Sequence, residues 1–175
     1  MKILFISDLH FNHNKIIEYE HRPYNNIQEM NEDYIRIWNN KVQKGDIVYV
    51  LGDFCISKSV EETDAILSRL NGQKFLIKGN HDHSEVYKAK GWTNVYDYLE
   101  KTIDGKRVVM FHYPIAVWAD KHHGSKHLYG HVHSNTETHH PMTYNLGKAY
   151  NVGIDVLGEP KTLDEILEFY GANID

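Results

Sequence analysis

Residues 74–82, Lys-Phe-Leu-Ile-Lys-Gly-Asn-His-Asp, join a short apolar run directly to a group of polar side chains. The run from Lys74 to Lys78 predicts a buried strand, because it is short, mostly apolar and followed by the turn-forming Gly79. An Asn-His-Asp triplet then follows at the carboxyl end of this strand. In open α/β sheets, ligands bind beyond the carboxyl ends of the strands, where successive loops meet. The stretch therefore predicts one strand of a parallel sheet and part of a polar site.

Two earlier stretches have the same organisation. An apolar run at residues 2–7 is followed by Asp8-Leu-His10, and a β-rich run at residues 46–51 is followed by Gly52-Asp53. Helical patterns are expected between these strands at about residues 14–20, 27–42 and 59–70, the last of them opened by a capping box, Ser59-Val-Glu-Glu62. Strands that alternate with helices in this way predict βαβ units and a parallel sheet.

The second half of the chain predicts strands without long helices between them. These strands are expected at residues 94–101, 107–112, 126–129 and 149–153. Asp104-Gly105 favours a hairpin turn between the first two, and a capping box at Thr162 predicts a final helix that ends near Tyr170. Since no repeat, low-complexity tract or linker interrupts the sequence, a single domain over residues 1–175 is the simplest prediction.

Two further polar motifs follow predicted strands of this second half. His112 closes one strand, and Gly130-His-Val-His133 follows another. Together with the three earlier motifs, these strand ends would deliver two aspartates, one asparagine and several histidines to one point in space. The chain has 13 histidines in all, and histidine is the most frequent metal ligand.

The spacing inside two of these motifs requires a turn. Residues two apart in an extended strand point to opposite faces of a sheet. Asp8 and His10, like His131 and His133, can therefore share a site only if each strand has already ended in a turn. Gly130 is expected to permit the sharp backbone for the second pair, because glycine adopts such conformations readily.

The residue types predict a particular metal chemistry. Mixed nitrogen and oxygen ligands suit borderline divalent ions such as Mn, Fe, Ni or Zn, with Mn favoured for work in vitro, whereas a thiolate site would need more than the single Cys55. Two such ions held roughly 3.5–4 Å apart need a bridging carboxylate. Such a pair activates a water molecule and stabilises an in-line phosphoryl transition state.

Composition limits the classes of partner. The formal net charge of −5 argues against a general electrostatic grip on nucleic acid, which needs basic patches. No apolar stretch approaches the roughly 18 residues of a membrane span, so no membrane partner is expected. The first residues do not form a secretory signal and a lone cysteine cannot form an intrachain disulfide, so a cytoplasmic location is expected.

The complete motif series resembles that of the calcineurin-like metallophosphoesterases. Shorter matches, around residues 11–17 and at residues 151–155, are similar to small bacterial and phage members of that superfamily. The resemblance implies an α/β fold in which a two-sheet β-sandwich is flanked by helices, giving four layers. It also implies a ligand set: Asp8, His10 and His133 for a first metal, Asn80, His112 and His131 for a second, and Asp53 as the bridge.

The resemblance further implies a reaction. A hydroxide bridging the two metals would attack phosphorus, and His81 would contact the phosphate and assist the leaving oxygen. The expected substrate is a small phosphate ester, with a phosphodiester favoured. A two-metal nuclease acting on DNA or RNA is one alternative, and a non-catalytic metal-binding scaffold is another.

Several residues near these motifs have roles that the sequence leaves open. His13 could contact phosphate or orient a neighbouring ligand, and Arg22 could bind phosphate bidentately or lie on the surface. Asn151 and Asp155 could order the end of the sheet near the site or bind nothing. The basic loop at residues 121–127 could be a flap over the substrate or a solvated loop. The oligomeric state is also left open.

Overall fold

The protein contains two β-sheets, seen in a computed structural model that describes residues 1–134 and 146–172. The strands of the first sheet are Ile3–Ile6 (β1), Ile47–Val50 (β2), Gln73–Ile77 (β3), Asn94–Tyr96 (β4) and Lys161–Thr162 (β9). Their order is β4-β3-β2-β1-β9; the first four run parallel, and β9 is antiparallel to β1. The predicted parallel sheet is confirmed.

The second sheet is mixed. Its strands are Leu99–Ile103 (β5), Lys106–Met110 (β6), Lys126–Tyr129 (β7) and Ala149–Asn151 (β8), in that order across the sheet. β5 and β6 form the predicted hairpin, whose turn residues Asp104 and Gly105 have φ values of 49° and 77°. Positive φ at both central positions is what a type I′ turn requires. β6, β7 and β8 are parallel, so their carboxyl ends lie at one edge.

The strand predicted at residues 94–101 is wrong in one respect, because it is two strands in different sheets. β4 pairs with β3 in the first sheet, and β5 pairs with β6 in the second. The chain crosses between the sheets at Asp97 and Tyr98, which are both exposed. Apolar patterning shows that a segment is extended but not which strand it pairs with. The sequence therefore could not predict that the chain passes from one sheet to the other here.

Helices precede and follow the strands. They are Asn14–Tyr19 (α1), Ile27–Lys41 (α2), Val60–Arg69 (α3), Ser84–Tyr87 (α4), Ile154–Leu157 (α5) and Leu163–Phe169 (α6). The capping box at Thr162 forms completely. The one at Ser59 forms only in part: its hydroxyl accepts the Glu62 N–H, but the Glu62 carboxylate accepts from the N–H of Lys58. None of these helices, within the described ranges, is long and apolar enough to cross a bilayer.

Two apolar cores explain the layers. Alternate side chains of β1 enter different cores: Leu4 and Ile6 join a cluster with Trp38 of α2 and Leu67 of α3, and Phe5 joins the other. The second cluster combines residues of both sheets with residues of α6. The first sheet is thus buried on both faces, which its nearly continuous apolar strands require. The expected two-sheet sandwich flanked by helices is confirmed.

Candidate metal centre

The ends of five strands bring the polar motifs together. β1, β2, β3, β6 and β7 are each followed by one of them. The side chains that meet there are Asp8, His10, Asp53, Asn80, His81, His112, His131 and His133. All eight were predicted from the sequence, and the structure places them in one continuous group.

The expected turns are present, and the ligand residues themselves form them. Asp8 and His10 have φ values of 57° and 51°, and His131 and His133 have values of 72° and 48°. Non-glycine residues rarely adopt this left-handed conformation, which costs roughly 1–2 kcal/mol per residue. Each i, i+2 pair can therefore point into the same site, although extended backbone would separate its members.

Gly130 has a different role from the one predicted. Its φ is not positive, so it does not supply the left-handed turn. A Cβ at this position would instead collide with the Ser7 hydroxyl and the Asp8 carboxylate. The glycine is required because two strand ends approach each other closely, which is the second use of a residue without a side chain.

The first ligand group consists of Asp8, His10 and His133, whose donor atoms lie within 4.8 Å of one another. The Asp8 carboxylate accepts hydrogen bonds from the His131 N–H at 3.0 and 3.1 Å and from the Ser7 hydroxyl at 2.5 Å. Burial raises the pKa of Asp8 and lowers that of His10 well below its ordinary value. Burial of this kind favours the neutral form of the imidazole, which is the form that binds metals.

One atom of this group tests whether a metal fits. His10 Nε2 is buried and has no hydrogen-bond partner among the described residues. A buried polar atom without a partner costs about 1–3 kcal/mol, so native proteins rarely leave one. The atom lies 3.6 Å from Asp53 Oδ2 and faces the other ligands. A divalent cation bound by these atoms would supply the missing partner, so the residues fit a metal.

The second ligand group consists of Asp53, His112 and His131, again within 4.8 Å of one another, with Asn80 beside them. Asn80 Oδ1 lies 3.0 Å from His112 Nε2 and 2.9 Å from His131 Nδ1. His112 Nδ1 donates to the Leu51 carbonyl at 2.7 Å, which directs Nε2 into the site. Burial lowers the pKa of His112, but its bond to Asp53 and the nearby carboxylates outweigh burial and raise that pKa to about 9.

Asp53 lies between the two groups. Its Oδ2 is 3.6 Å from His10 Nε2 and 3.5 Å from His112 Nε2, while Oδ1 accepts the His81 N–H at 2.9 Å. Burial raises the pKa of this carboxyl, but hydrogen bonding and charge from His112 hold it well below the ordinary value. An ionised carboxylate between two sets of ligands has the position that a bridging ligand needs.

Asp82 supports this centre through hydrogen bonds to the backbone. Its carboxylate accepts the backbone N–H groups of Asp53, Phe54 and Gly79 at 2.8–2.9 Å. Burial nevertheless raises its pKa to about 6. A single side chain thus fixes the ends of β2 and β3 relative to each other.

His81 and His13 lie beside the first ligand group. The half-buried ring of His81 is 5.4 Å from the ring of His10. His13 Nδ1 is 3.1 Å from His10 Nδ1, and a hydrogen bond between them orients His10 when one nitrogen carries the proton. This contact supports the orienting role for His13, whereas its contact with phosphate stays a prediction.

The predicted contact of Arg22 with phosphate is wrong. The guanidinium is buried, and all five of its N–H groups have partners. Nε and one terminal nitrogen bind the two oxygens of Asp155 at 2.8 Å each, and the terminal nitrogens also bind the Asp8 and Leu9 carbonyls and approach the Met30 sulfur. No donor remains for a substrate, and the pattern Arg-Pro alone could not reveal that burial.

Other open roles can now be described. Asn151 and Asp155 both contact His133. Residues 121–127 do not form one loop, because Lys126 and His127 are buried in β7 and only residues 121–123 form a short 3-10 turn. Lys121 lies over the Trp118 ring and donates to the Ala116 carbonyl, which ties that turn to its own loop.

Comparison with known proteins assigns the family. The family model of the calcineurin-like phosphoesterase superfamily domain matches residues 1–154. The uncharacterized protein MJ1445 of Methanocaldococcus jannaschii is 36% identical over 170 residues, which cover 95% of this chain and 90% of that protein. The gene 66 protein of Mycobacterium phage D29 is 28% identical over 195 residues, covering 95% of this chain and 94% of its own.

A solved structure is similar over nearly the whole chain. The crystal structure of AQ665 from Aquifex aeolicus, a protein of unknown function, superposes with a TM-score of 0.76 at 25% sequence identity. The alignment covers 95% of this chain and 98% of that one. The matched family domain and the 36% identical relative agree with the motif series, and the chain belongs to the calcineurin-like phosphoesterase superfamily.

Proposed function

We propose that this protein is a phosphoesterase that uses two divalent metal ions to hydrolyse a small phosphodiester. The observation that carries this proposal is the shared position of Asp53, whose Oδ2 lies within 3.6 Å of a histidine from each ligand group. One carboxylate between two groups of ligands suits a pair of ions better than two independent sites.

The proposed ligands follow the two groups. Asp8, His10 and His133 would hold one ion, Asn80, His112 and His131 the other, and Asp53 both. When bound, such ions activate a water molecule and neutralise charge on the phosphoryl oxygens. The nitrogen and oxygen ligands suit Mn, Fe, Ni or Zn, and Mn²⁺ is the practical choice for reconstitution.

His81 is the proposed acid for the leaving group. The backbone N–H of His81 donates to Asp53 Oδ1, which fixes the main chain, while the half-buried ring stays accessible beside the first ligand group. A ring in that place can donate a proton to the departing alkoxide. Acid–base assistance of this kind contributes about 10²–10⁴-fold to the rate.

The experiment compares bis(p-nitrophenyl) phosphate with p-nitrophenyl phosphate, using metal-stripped protein reloaded with Mn²⁺. We expect metal-dependent turnover that is faster with the diester. His81→Ala should bind both ions but lose about 10²–10⁴-fold in kcat on a diester with an alkyl leaving group, and less on the p-nitrophenyl esters, whose leaving group is already acidic. His83→Ala is the matched control, because His83 is an exposed histidine two residues away with no side-chain cap bond.

Two results would count against the proposal. Absence of turnover with either ester, despite two bound ions, would favour a non-catalytic metal-binding scaffold. Equal activity of His81→Ala and wild type on a diester with an alkyl leaving group, which needs a proton to depart, would remove His81 from the reaction.

A second candidate, a two-metal enzyme for nucleotides or nucleic acid, is favoured by an aromatic stripe beside the second ligand group. The ring of Tyr113 lies 4.6 Å from that of His131, Phe111 lies 5.6 Å from Tyr113, and Tyr98 lies 6.1 Å from Phe111. Tyr98 and Tyr113 are 40% and 36% exposed. Base stacking on such rings is worth about 1–3 kcal/mol per base.

Two diesters with one leaving group test this candidate. Thymidine 5′-(p-nitrophenyl phosphate) and ethyl p-nitrophenyl phosphate both release p-nitrophenolate. If the stripe binds a base, Tyr113→Leu should lower the preference for the thymidine ester by roughly 5- to 100-fold. Tyr19→Leu is the control at another exposed tyrosine. An equal loss on both esters would show that the stripe does not recognise the base.

A further inference from the structure

His133 needs support from outside its own segment. It lies beyond the end of β7 at Tyr129, so no strand ladder fixes it, and its φ of 48° is left-handed. That conformation is unfavourable for a side chain with a Cβ. A metal ligand in such a place keeps its geometry only if other residues hold both its backbone and its ring.

Asn151 holds the backbone. Its side-chain nitrogen donates to the His133 carbonyl at 2.8 Å, and its side-chain oxygen accepts the Gly153 N–H at 2.8 Å. The residue is 2% exposed and ends β8. The amide therefore connects the turn of His133 to the neighbouring strand of the second sheet.

Asp155 holds the ring. Its Oδ2 accepts from His133 Nδ1 at 2.7 Å. This bond assigns the proton to Nδ1 and leaves the lone pair of Nε2 for a metal, which is how carboxylates commonly orient ligating histidines. Asp155 lies in the first turn of α5, four residues after Asn151, so one short segment supplies both contacts.

Arg22 fixes Asp155 and connects it with the rest of the first ligand group. The guanidinium binds both Asp155 oxygens, which leaves the carboxylate one orientation. It also binds the Asp8 carbonyl at 2.7 Å and the Leu9 carbonyl at 3.0 Å. The Arg22 guanidinium thus connects the end of β1, which is followed by Asp8 and His10, to Asp155, the residue that orients His133.

We infer that Arg22, Asn151 and Asp155 are positioning residues that set the metal affinity of the first ligand group. The inference rests on the proposed function, since it needs Asp8, His10 and His133 to bind an ion. None of the three contacts the second group, so its affinity should not depend on them within the described structure.

The experiment is a Mn²⁺ titration of metal-free protein followed by electron paramagnetic resonance, which separates free Mn²⁺ from singly and doubly loaded protein. Asp155→Asn, Arg22→Met and Asn151→Ala should each weaken one Mn²⁺ by about 10–100-fold and leave the other unchanged. Arg69→Met is the matched control, because it removes an arginine paired with Glu32 on the exposed surface.

A merely structural role gives a different result. It would lower the urea stability of the metal-free protein while both Mn²⁺ affinities stayed equal to wild type, or fell together, and either outcome would overturn the inference. If Arg22→Met does not fold, Asn151→Ala still tests the inference, because it removes only one amide. Failure of wild type to bind two Mn²⁺ would overturn the proposed function instead.

Discussion

The two ligand groups are held by different kinds of structure. In the second group, His112 is directed by a backbone carbonyl, that of Leu51, beside close-packed glycines at the ends of β2 and β3. In the first group, His133 is directed by a carboxylate that an arginine from a distant part of the chain holds in place. The sheet itself builds one half of the centre, and long-range charged side chains build the other.

This difference determines which kinds of substitution would disrupt each ligand group. The second ligand group, which is built on backbone contacts, loses its geometry when the strand ends cannot approach each other. Few side-chain substitutions would disturb those contacts. A half built on a buried ion pair fails when one partner is removed, because the remaining charge is then buried without compensation. The variants below distinguish these two kinds of failure and are ordered by decreasing effect at neutral pH.

Asp53→Asn should have the largest effect, because the proposed function makes Asp53 a ligand of both ions. We expect neither group to hold its ion, and hydrolysis to fall at least about a thousandfold, equivalent to about 4 kcal/mol. Metal analysis after gel filtration and assays of the diester measure both effects. Asp97→Asn, a carboxylate on the exposed surface, is the control. Retention of two ions by Asp53→Asn would contradict the bridging role.

Alanine at two glycines compares the halves directly. At Gly79 a Cβ would collide with the backbone nitrogen and carboxylate of Asp53, and at Gly130 with the side chains of Ser7 and Asp8. Backbone yields less than side chains, so we expect Gly79→Ala to lower the free energy of unfolding by about 3 kcal/mol and Gly130→Ala by about 1–2 kcal/mol. Urea unfolding of metal-free protein measures both changes.

The control for this pair is Gly45→Ala, because no atom lies within 4 Å of a Cβ built at Gly45. Its free energy of unfolding should change by less than about 0.5 kcal/mol. If Gly130→Ala proved the more damaging of the two variants, the backbone-built half would not be the more rigid one. The comparison of the two halves would then have to be reversed.

The effect that is smallest at neutral pH is an acid sensitivity beside the second group. Fully buried His127 lies against the carbonyl of Tyr113, the residue that follows His112. Burial lowers the pKa of His127 to about 4, so the folded protein keeps it neutral while the unfolded chain takes up a proton below about 6.5. Its contribution to stability is present above pH 6.5 and is lost as pH falls towards 4.

His127→Gln removes this titration. Between pH 6.5 and 4, wild type should lose up to about 3 kcal/mol more unfolding free energy than the variant. Urea unfolding at pH 7, 5.5 and 4.5 measures the difference. If the free energies of unfolding of the two proteins changed equally with pH, His127 would be protonated in the folded protein without loss of stability.

Much of the centre could be predicted because its residues follow strands that apolar runs mark clearly. Asp8, Asp53 and Asn80 each come directly after such a run, and parallel strands end at one edge. The turn geometry at Asp8 and His10 followed from their spacing alone. These inferences depend only on local sequence and on one rule of sheet geometry.

The remaining features depend on contacts between distant residues. The role of Arg22 stayed open between a phosphate contact and the surface, because its partner, Asp155, is 133 residues away and no local pattern connects them. Gly130 was assigned a turn because a close approach by Ser7 cannot be seen in sequence. The crossing at Asp97 was hidden for the same reason, since pairing partners lie in other segments.

The separation of Arg22 from Asp155 also has a consequence for biosynthesis. A ribosome adds roughly 5–20 residues per second, so the arginine is synthesised about 7–27 seconds before its carboxylate, 133 residues later. Until then, burying its guanidinium would leave a charge unpaired, which costs several kcal/mol. The nascent chain should therefore keep the Arg22 segment exposed, and the ion proposed for the first ligand group would bind tightly only after synthesis has passed residue 155.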